Sequence, residues 1–229
     1  MTPKKAILVT SGILGFLGIL VSIVIIAIGG GFSGPGASIF NPPSEKDLWR
    51  VGNNLLNGTE LIYSLTTSVP NHLINNKNIS MIFINEGDRW KVLISFDKLK
   101  KTNANNVSLS KLSFTPVGIV NYSSDSLLGE VSSSIFAIRD IAREPKYLIV
   151  GAIWDTMDVG TLSIPLRITK IENVKTAGGS FDSFVLSYQI GNKESRIYLV
   201  KGLPLPVKSE VYNANGTLIY KYELVSFKR

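Results

Sequence analysis

The side chains able to do chemistry in this 229-residue chain are few and scattered. Asp155-Thr156-Met157-Asp158 sets two carboxylates close together ahead of Gly160. Carboxylate oxygens in a turn can take calcium, and a suitably separated pair can cleave a glycoside. The calcium loop is incomplete, because no alternating oxygen ligands and no distal Glu follow, so a solvated turn is expected. Glu172, Asp182 and Glu210 lie on separate strand segments and would meet only if the fold brings them together. The single histidine, His72, sits in Pro70-Asn71-His72-Leu73 with no Ser or carboxylate at a nucleophilic spacing, which predicts a surface loop. Cysteine is absent, which removes thiolate nucleophiles, disulfides, iron–sulfur ligation and the usual structural zinc sites. There is no G-x-S-x-G, no G-x-x-x-x-G-K and no dinucleotide fingerprint. No cofactor, no metal and no enzymatic activity are expected.

Aromatic side chains are the most suggestive set. Tyr63, Trp90, Phe96, Trp154, Phe184, Tyr188 and Tyr198 come from several strand segments, with Tyr220 and Tyr222 beside them. A curved sheet could aim many of them at one cavity for an apolar ligand. An ordinary sheet core needs the same residues, and both readings stand at this stage. Lys91, Lys98, Lys100, Lys101 and Lys111 are the densest basic group in a chain of net charge +7. Such a group could face anionic lipid, yet lysines along an edge also discourage strand pairing.

The elements that hold these residues fall into two unlike parts. Ala6–Ile28 carries no charge and is long enough for a helix that crosses the hydrocarbon layer of about 30 Å. Full hydrophobicity persists through Ile23, Val24, Ile25, Ile26 and Ile28, which favours a retained anchor over a signal peptide. Gly36-Ala37-Ser38 could still suit a peptidase. Lys4 and Lys5 precede the span and no Lys or Arg follows until Lys46, so residues 1–5 are expected in the cytoplasm and the remainder outside. Removing Lys4 and Lys5 leaves a net charge of +5 beyond the anchor. Nucleic acid is not an expected partner there. Residues 29–43, rich in Gly, Ser and Pro, read as a flexible linker, and Gly29-Gly30-Gly31 with Pro35 break the continuous helix that a pilin would need. Sequons at Asn57, Asn78, Asn106, Asn121 and Asn215 are a modest excess over chance and make these glycosylation candidates.

Residues 44–229 read as an extracytoplasmic, β-rich domain. Ser44 and Asp47 form a capping pair, and Leu48, Val51, Leu55 and Leu56 at helical spacing predict a short helix. The period then becomes two at Leu61, Tyr63, Leu65, Thr67 and Val69. Ile79, Met81 and Phe83 lead into Glu86-Gly87-Asp88, and Trp90, Val92, Ile94 and Phe96 return, which predicts a hairpin. Leu127, Leu128, Val131, Ile135, Ile138 and Ile141 predict an amphipathic helix within 124–142, its polar face carrying Glu130, Arg139 and Asp140. Alternating runs over 161–171, 181–190, 194–201, 205–212 and 217–227 follow. Gly178-Gly179, Gly191-Asn192 and Asn215-Gly216 lie at their turns, the last predicting a two-residue hairpin loop. The total is about nine or ten strands in antiparallel hairpins without a βαβ rhythm. The expected fold class is α+β: one transmembrane helix, then a curved antiparallel half-barrel with one or two covering helices.

That order of elements, with the run Ala177-Gly178-Gly179-Ser180-Phe181-Asp182-Ser183-Phe184, and with Gly151, Trp154 and Glu172 nearby, resembles the lipoprotein-carrier superfamily of LolA- and LppX-like half-barrels. The resemblance implies a concave face, closed by helices, that holds acyl chains or another apolar ligand. A carrier must diffuse, whereas this domain is expected to be tethered, so local capture or scaffolding is the expected variant. The chain is therefore expected to be a membrane-anchored, non-catalytic module binding membrane lipid or an apolar small molecule. The alternative is a structural or assembly protein, or an accessory subunit meeting envelope or membrane-complex proteins.

Overall fold

Alternation of apolar and polar residues organises the chain from Glu60 onward. The computed structural model describes residues 44–68, 75–87, 89–96, 110–115, 118–121 and 126–229, with backbone alone for 110–115, 118–121 and 126–128. The expected anchor Ala6–Ile28, residues 1–5, the linker 29–43, His72, Asn106, Lys98, Lys100 and Lys101 lie outside the described residues. No helix among the described residues is long and apolar enough to cross a membrane. Residues 43–229 cluster as one compact unit.

The strands are β1 (Leu48–Trp49), β2 (Glu60–Thr67), β3 (Lys77–Asn85), β4 (Trp90–Phe96), β5 (Ser110–Thr115), β6 (Gly118–Asn121), β7 (Lys146–Tyr147), β8 (Ile153–Val159), β9 (Leu162–Thr176), β10 (Gly179–Ile190), β11 (Lys193–Leu199), β12 (Lys208–Tyr212) and β13 (Leu218–Lys228). Eleven of them form one open antiparallel sheet in the order β6-β5-β4-β3-β2-β13-β12-β11-β10-β9-β8. Two meanders therefore run outward from the centre, and the β2–β13 pairing joins the two halves of the chain. In that pairing Tyr222 lies opposite Leu65 and Leu224 opposite Tyr63.

Period-two patterning gives each strand an inner and an outer face. Leu61, Tyr63 and Leu65 of β2 sit inward beside Met81 and Ile79 of β3, which face Ile94 and Phe96 of β4, and all are buried. The expected hairpin at Glu86-Gly87 is present, with Asn85 opposite Trp90 and Gly87 at φ +90°. The sheet is curved strongly enough that the β9–β10 turn reaches β13, three strands away: Gly178 N–H donates to the Leu224 carbonyl at 3.0 Å. A Cβ at Gly178 would stand 3.1 Å from that oxygen, so a larger residue there would push the β13 backbone by a few tenths of an ångström.

Over the inner face lie the β1–β7 pair, the 200–207 loop and two helical pieces, α1 (Ser126–Ser134) and α2 (Ile138–Ile141). The expected continuous helix is thus broken. Ser134 Oγ donates back to the Glu130 carbonyl at 2.5 Å, a bond that bends helices, and the break lets Ile135, Phe136 and Ile138 all face the core. The Phe136 and Phe83 rings lie 6.5 Å apart. Arg139, expected on the polar face, is instead buried, with Nε on the Asp140 carboxylate at 3.0 Å.

The helix expected from Ser44 also stops early. The Ser44/Asp47 capping box forms, but a single 3-10 turn (Glu45–Asp47) gives way to β1. Trp49 decides this, because its indole is fully buried, stacks on Trp154 at 5.8 Å and donates to the Leu203 carbonyl at 3.0 Å. Gly52 N–H to Pro204 and Asn54 Nδ2 to Gly202 then staple the segment to the 200–207 loop. At the β12–β13 turn Asn213 closes a longer loop than the two residues expected, pairing with Thr217 across 3.0 Å. Gly191 is required by that loop, since a Cβ there would stand 1.9 Å from the Ala214 carbonyl.

Candidate functional site

The candidate carboxylates do not converge. Asp155 and Asp158 belong to edge strand β8 rather than a turn, three positions apart and hence on opposite faces. Asp155 Oδ1 accepts from the Thr156 amide at 2.8 Å and Asp158 Oδ1 from the Ser163 hydroxyl at 2.5 Å. Asp182 projects inward and bonds Asn173, while Glu172 and Glu210 share the outer face. No group of His, Asp and Glu among the described residues could hold a metal ion.

On the outer face, ion pairs line four strands, β9, β11, β12 and β13. Lys208 bridges Glu210 at 3.1 Å and Glu223 at 3.2 Å, and Lys221 bonds Glu223 at 3.1 Å. Arg196 holds Glu194 at 2.7 Å, and Lys170 pairs with Glu172. Hydrogen bonding to Lys170 holds the Glu172 carboxyl below its ordinary range. Burial pushes Glu223 up, but Lys221 and Lys208 more than reverse it. Acid catalysis of glycoside cleavage needs a raised carboxyl pKa, the opposite of what these cations impose.

Of the aromatic candidates, Tyr63, Trp90, Phe96, Phe184 and Tyr188 share the inner face by register. Tyr63 and Phe96 are buried, and Trp90, Phe184 and Tyr188 are half-buried. Tyr63 OH donates to the Pro206 carbonyl at 2.8 Å, and its ring meets Tyr222 edge-on at 5.5 Å. Tyr222 stacks on Tyr220 at 6.1 Å. Burial pushes the phenols of Tyr63, Tyr220 and Tyr222 well up. Tyr198 turns to the outer face, beneath the Lys208 ammonium at 5.6 Å. Trp154 sits at a bulge in β8 against Trp49, its indole N–H on the Tyr147 carbonyl at 2.8 Å. The seven therefore do not line one cavity.

A hollow of about 220 Å³ lies beside Glu45, Leu48, Arg50 and Asn53, with none of the seven aromatic candidates in its lining and mainly polar groups around it. Among the sequons, Asn57 and Asn215 are exposed in turns, Asn57 accepting from the Asn85 amide, while Asn78 is half-buried in β3. Asn121 lies in β6 and its side chain is outside the described residues. Sequence reasoning missed the edge strand β8. Its Ile, Trp, Thr and Val suit a strand, but the two Asp residues masked that signal.

Against solved structures the overlap is loose. A Bacteroides fragilis protein with a YmcC-like fold covers 79% of this chain and 100% of its own, at 13% identity and a TM-score of 0.40. MucB covers 78% of this chain at 11% identity and a TM-score of 0.38, and this chain spans about half of MucB, 54%. The Pseudomonas aeruginosa MucA/MucB complex covers 74% of this chain and 50% of its own, at 12% identity and a TM-score of 0.35. Likeness this loose transfers no role. No protein-family model and no curated protein sequence matches the chain.

Proposed function

We propose that residues 44–229 are a non-catalytic binding module, tethered outside the cytoplasm by Ala6–Ile28, whose work is to hold another protein of the envelope or of a membrane complex. The observation that carries this reading is the closure of the inner face over the centre of the sheet. Tyr63, Phe83, Ile79, Met81 and Tyr222 are buried against their own covering layer, and the polar atoms of Tyr63, Trp49 and Trp154 are spent on backbone carbonyls. A ligand cavity keeps a few polar groups free to orient its ligand. With the outer face neutralised by its own ion pairs, recognition falls to strand edges and exposed side chains.

A second reading, capture of a lipid or other apolar molecule, is favoured by one observation: Trp90, Phe184 and Tyr188 are half-buried on the inner face. Native mass spectrometry and solvent extraction on the full chain, taken from membranes in mild detergent, separate the two. The expected result is no lipid in stoichiometric amount and a protein cross-linked to the domain. One apolar molecule retained per chain would overturn the protein-binding reading in favour of the second.

A further inference from the structure

We infer that the free edge of β8 is the docking strand of this module, and that its partner adds a strand there from an extended aliphatic segment carrying two basic residues three positions apart. The inference rests on the protein-binding reading and names its site. Strand β8 ends the sheet and pairs only with β9 among the described strands. In an antiparallel ladder every second residue then turns its N–H and C=O outward, which is a template for a further strand. The bulge at Trp154 interrupts the ladder, leaving Asp155–Val159 regular opposite Leu162–Leu166.

Proteins blunt such edges with Lys, Pro, bulges or inward-pointing charges; residues 153–159 contain no Lys or Pro, and the bulge at Trp154 confines the regular edge to Asp155–Val159, where Asp155 and Asp158 are the only charges. Apolar side chains line the edge instead. Val159 faces Leu162 on the same side as Met157 and Ile164, and Leu162 is 66% and Ile153 58% exposed. Asp155 and Asp158 are both exposed and neither is ion-paired to a described residue, although Glu172, Glu194, Glu210 and Glu223 are each matched to a cation. In a chain of net charge +7, this edge is therefore locally acidic.

Charge selects the occupant. Two-fold pairing of β8 with a second copy about Thr156 would bring four carboxylates into one ladder between two chains of like net charge. A foreign strand with Lys or Arg three positions apart instead meets Asp155 on one face and Asp158 on the other, with its aliphatic residues beside Met157 and Val159.

The test uses the full chain in detergent and two labelled seven-residue peptides of Val and Thr, one carrying two Lys three positions apart and the other two Glu. Binding is read by fluorescence anisotropy and the site by amide hydrogen exchange. The Lys peptide should bind and slow exchange across 153–159, and the Glu peptide should not. Asp155→Lys/Asp158→Lys should weaken the Lys peptide by about tenfold and admit the Glu peptide, with unchanged melting because both positions are exposed. Slowed exchange elsewhere, equal binding of both peptides, or a dimer in sedimentation that the double variant dissolves would each overturn the inference. Should any of these occur while the cross-linked partner persists, the site alone is wrong; stoichiometric lipid with no cross-linked partner would instead overturn the protein-binding reading.

Discussion

The inner and outer faces of β10–β13 are made by the same backbone yet solve burial differently. Inward, Leu186, Ile197, Leu199 and Tyr222 are closed by other apolar side chains. Outward, Tyr198 is equally buried, but over its ring lies the Lys208 ammonium, whose charge is paired with Glu210 and Glu223. An apolar contact carries no titratable group and is not screened by salt, whereas an ion pair near the surface is sensitive to pH and weakened by screening, and contributes less. The inner face should therefore carry the stability, and the outer face its dependence on conditions.

The contrast breaks most visibly at Trp49, where Trp49→Ala empties a fully buried site and should cost about 3–5 kcal/mol in urea unfolding. A loss under about 1 kcal/mol would mean the covering layer adds little. Next, Tyr63→Phe leaves the Pro206 carbonyl without its donor and should cost about 1–2 kcal/mol in the same measurement. On the outer face, Glu172, Glu194 and Glu223 have folded pKa values below their ordinary 4.5, so their stabilisation is complete above pH 4.5 and is lost as pH falls through the lowered values. Burial works against the Lys208 ammonium, yet Glu210 and Glu223 raise its pKa above 10.5, so its share is present below that pH and lost above the raised value. Of these three carboxylates Lys208 contacts only Glu223, which Lys221 also holds, so Lys208→Met should flatten the acid limb of a urea-midpoint against pH curve only in part, and an unchanged limb would remove the Lys208–Glu223 pair as a contributor. The smallest effect is expected at outward-facing Ile82, where Ile82→Ser should change stability by no more than about 0.5 kcal/mol in thermal melts.

Legibility in the sequence tracked how local each determinant was. Leu61, Tyr63 and Leu65, and the hairpin from Ile79 to Phe96, could be read because period-two alternation is a neighbour-to-neighbour property. Trp49 was hidden within a helical pattern, since what pulls it out of a helix is a carbonyl 154 residues away. Arg139 was placed outward by its charge, and Ser134 gave the only local hint of the break that buries it. For the site, the aromatic set was legible as a list but not as an arrangement. Tyr188 and Tyr198 lie on adjoining strands, yet the register of Tyr188 opposite Ser195 and Val185 opposite Tyr198 sends them to opposite faces.

By itself the sequence determined an antiparallel β domain after an apolar stretch, because strand alternation and turn residues act over a few positions. Which faces close and which edge stays free was decided by the tertiary structure alone. The β2–β13 pairing joins the two meanders at the centre and so leaves β8 at an end of the sheet. Register over such distances is fixed by the sum of many weak long-range contacts, and no short stretch of residues contains it.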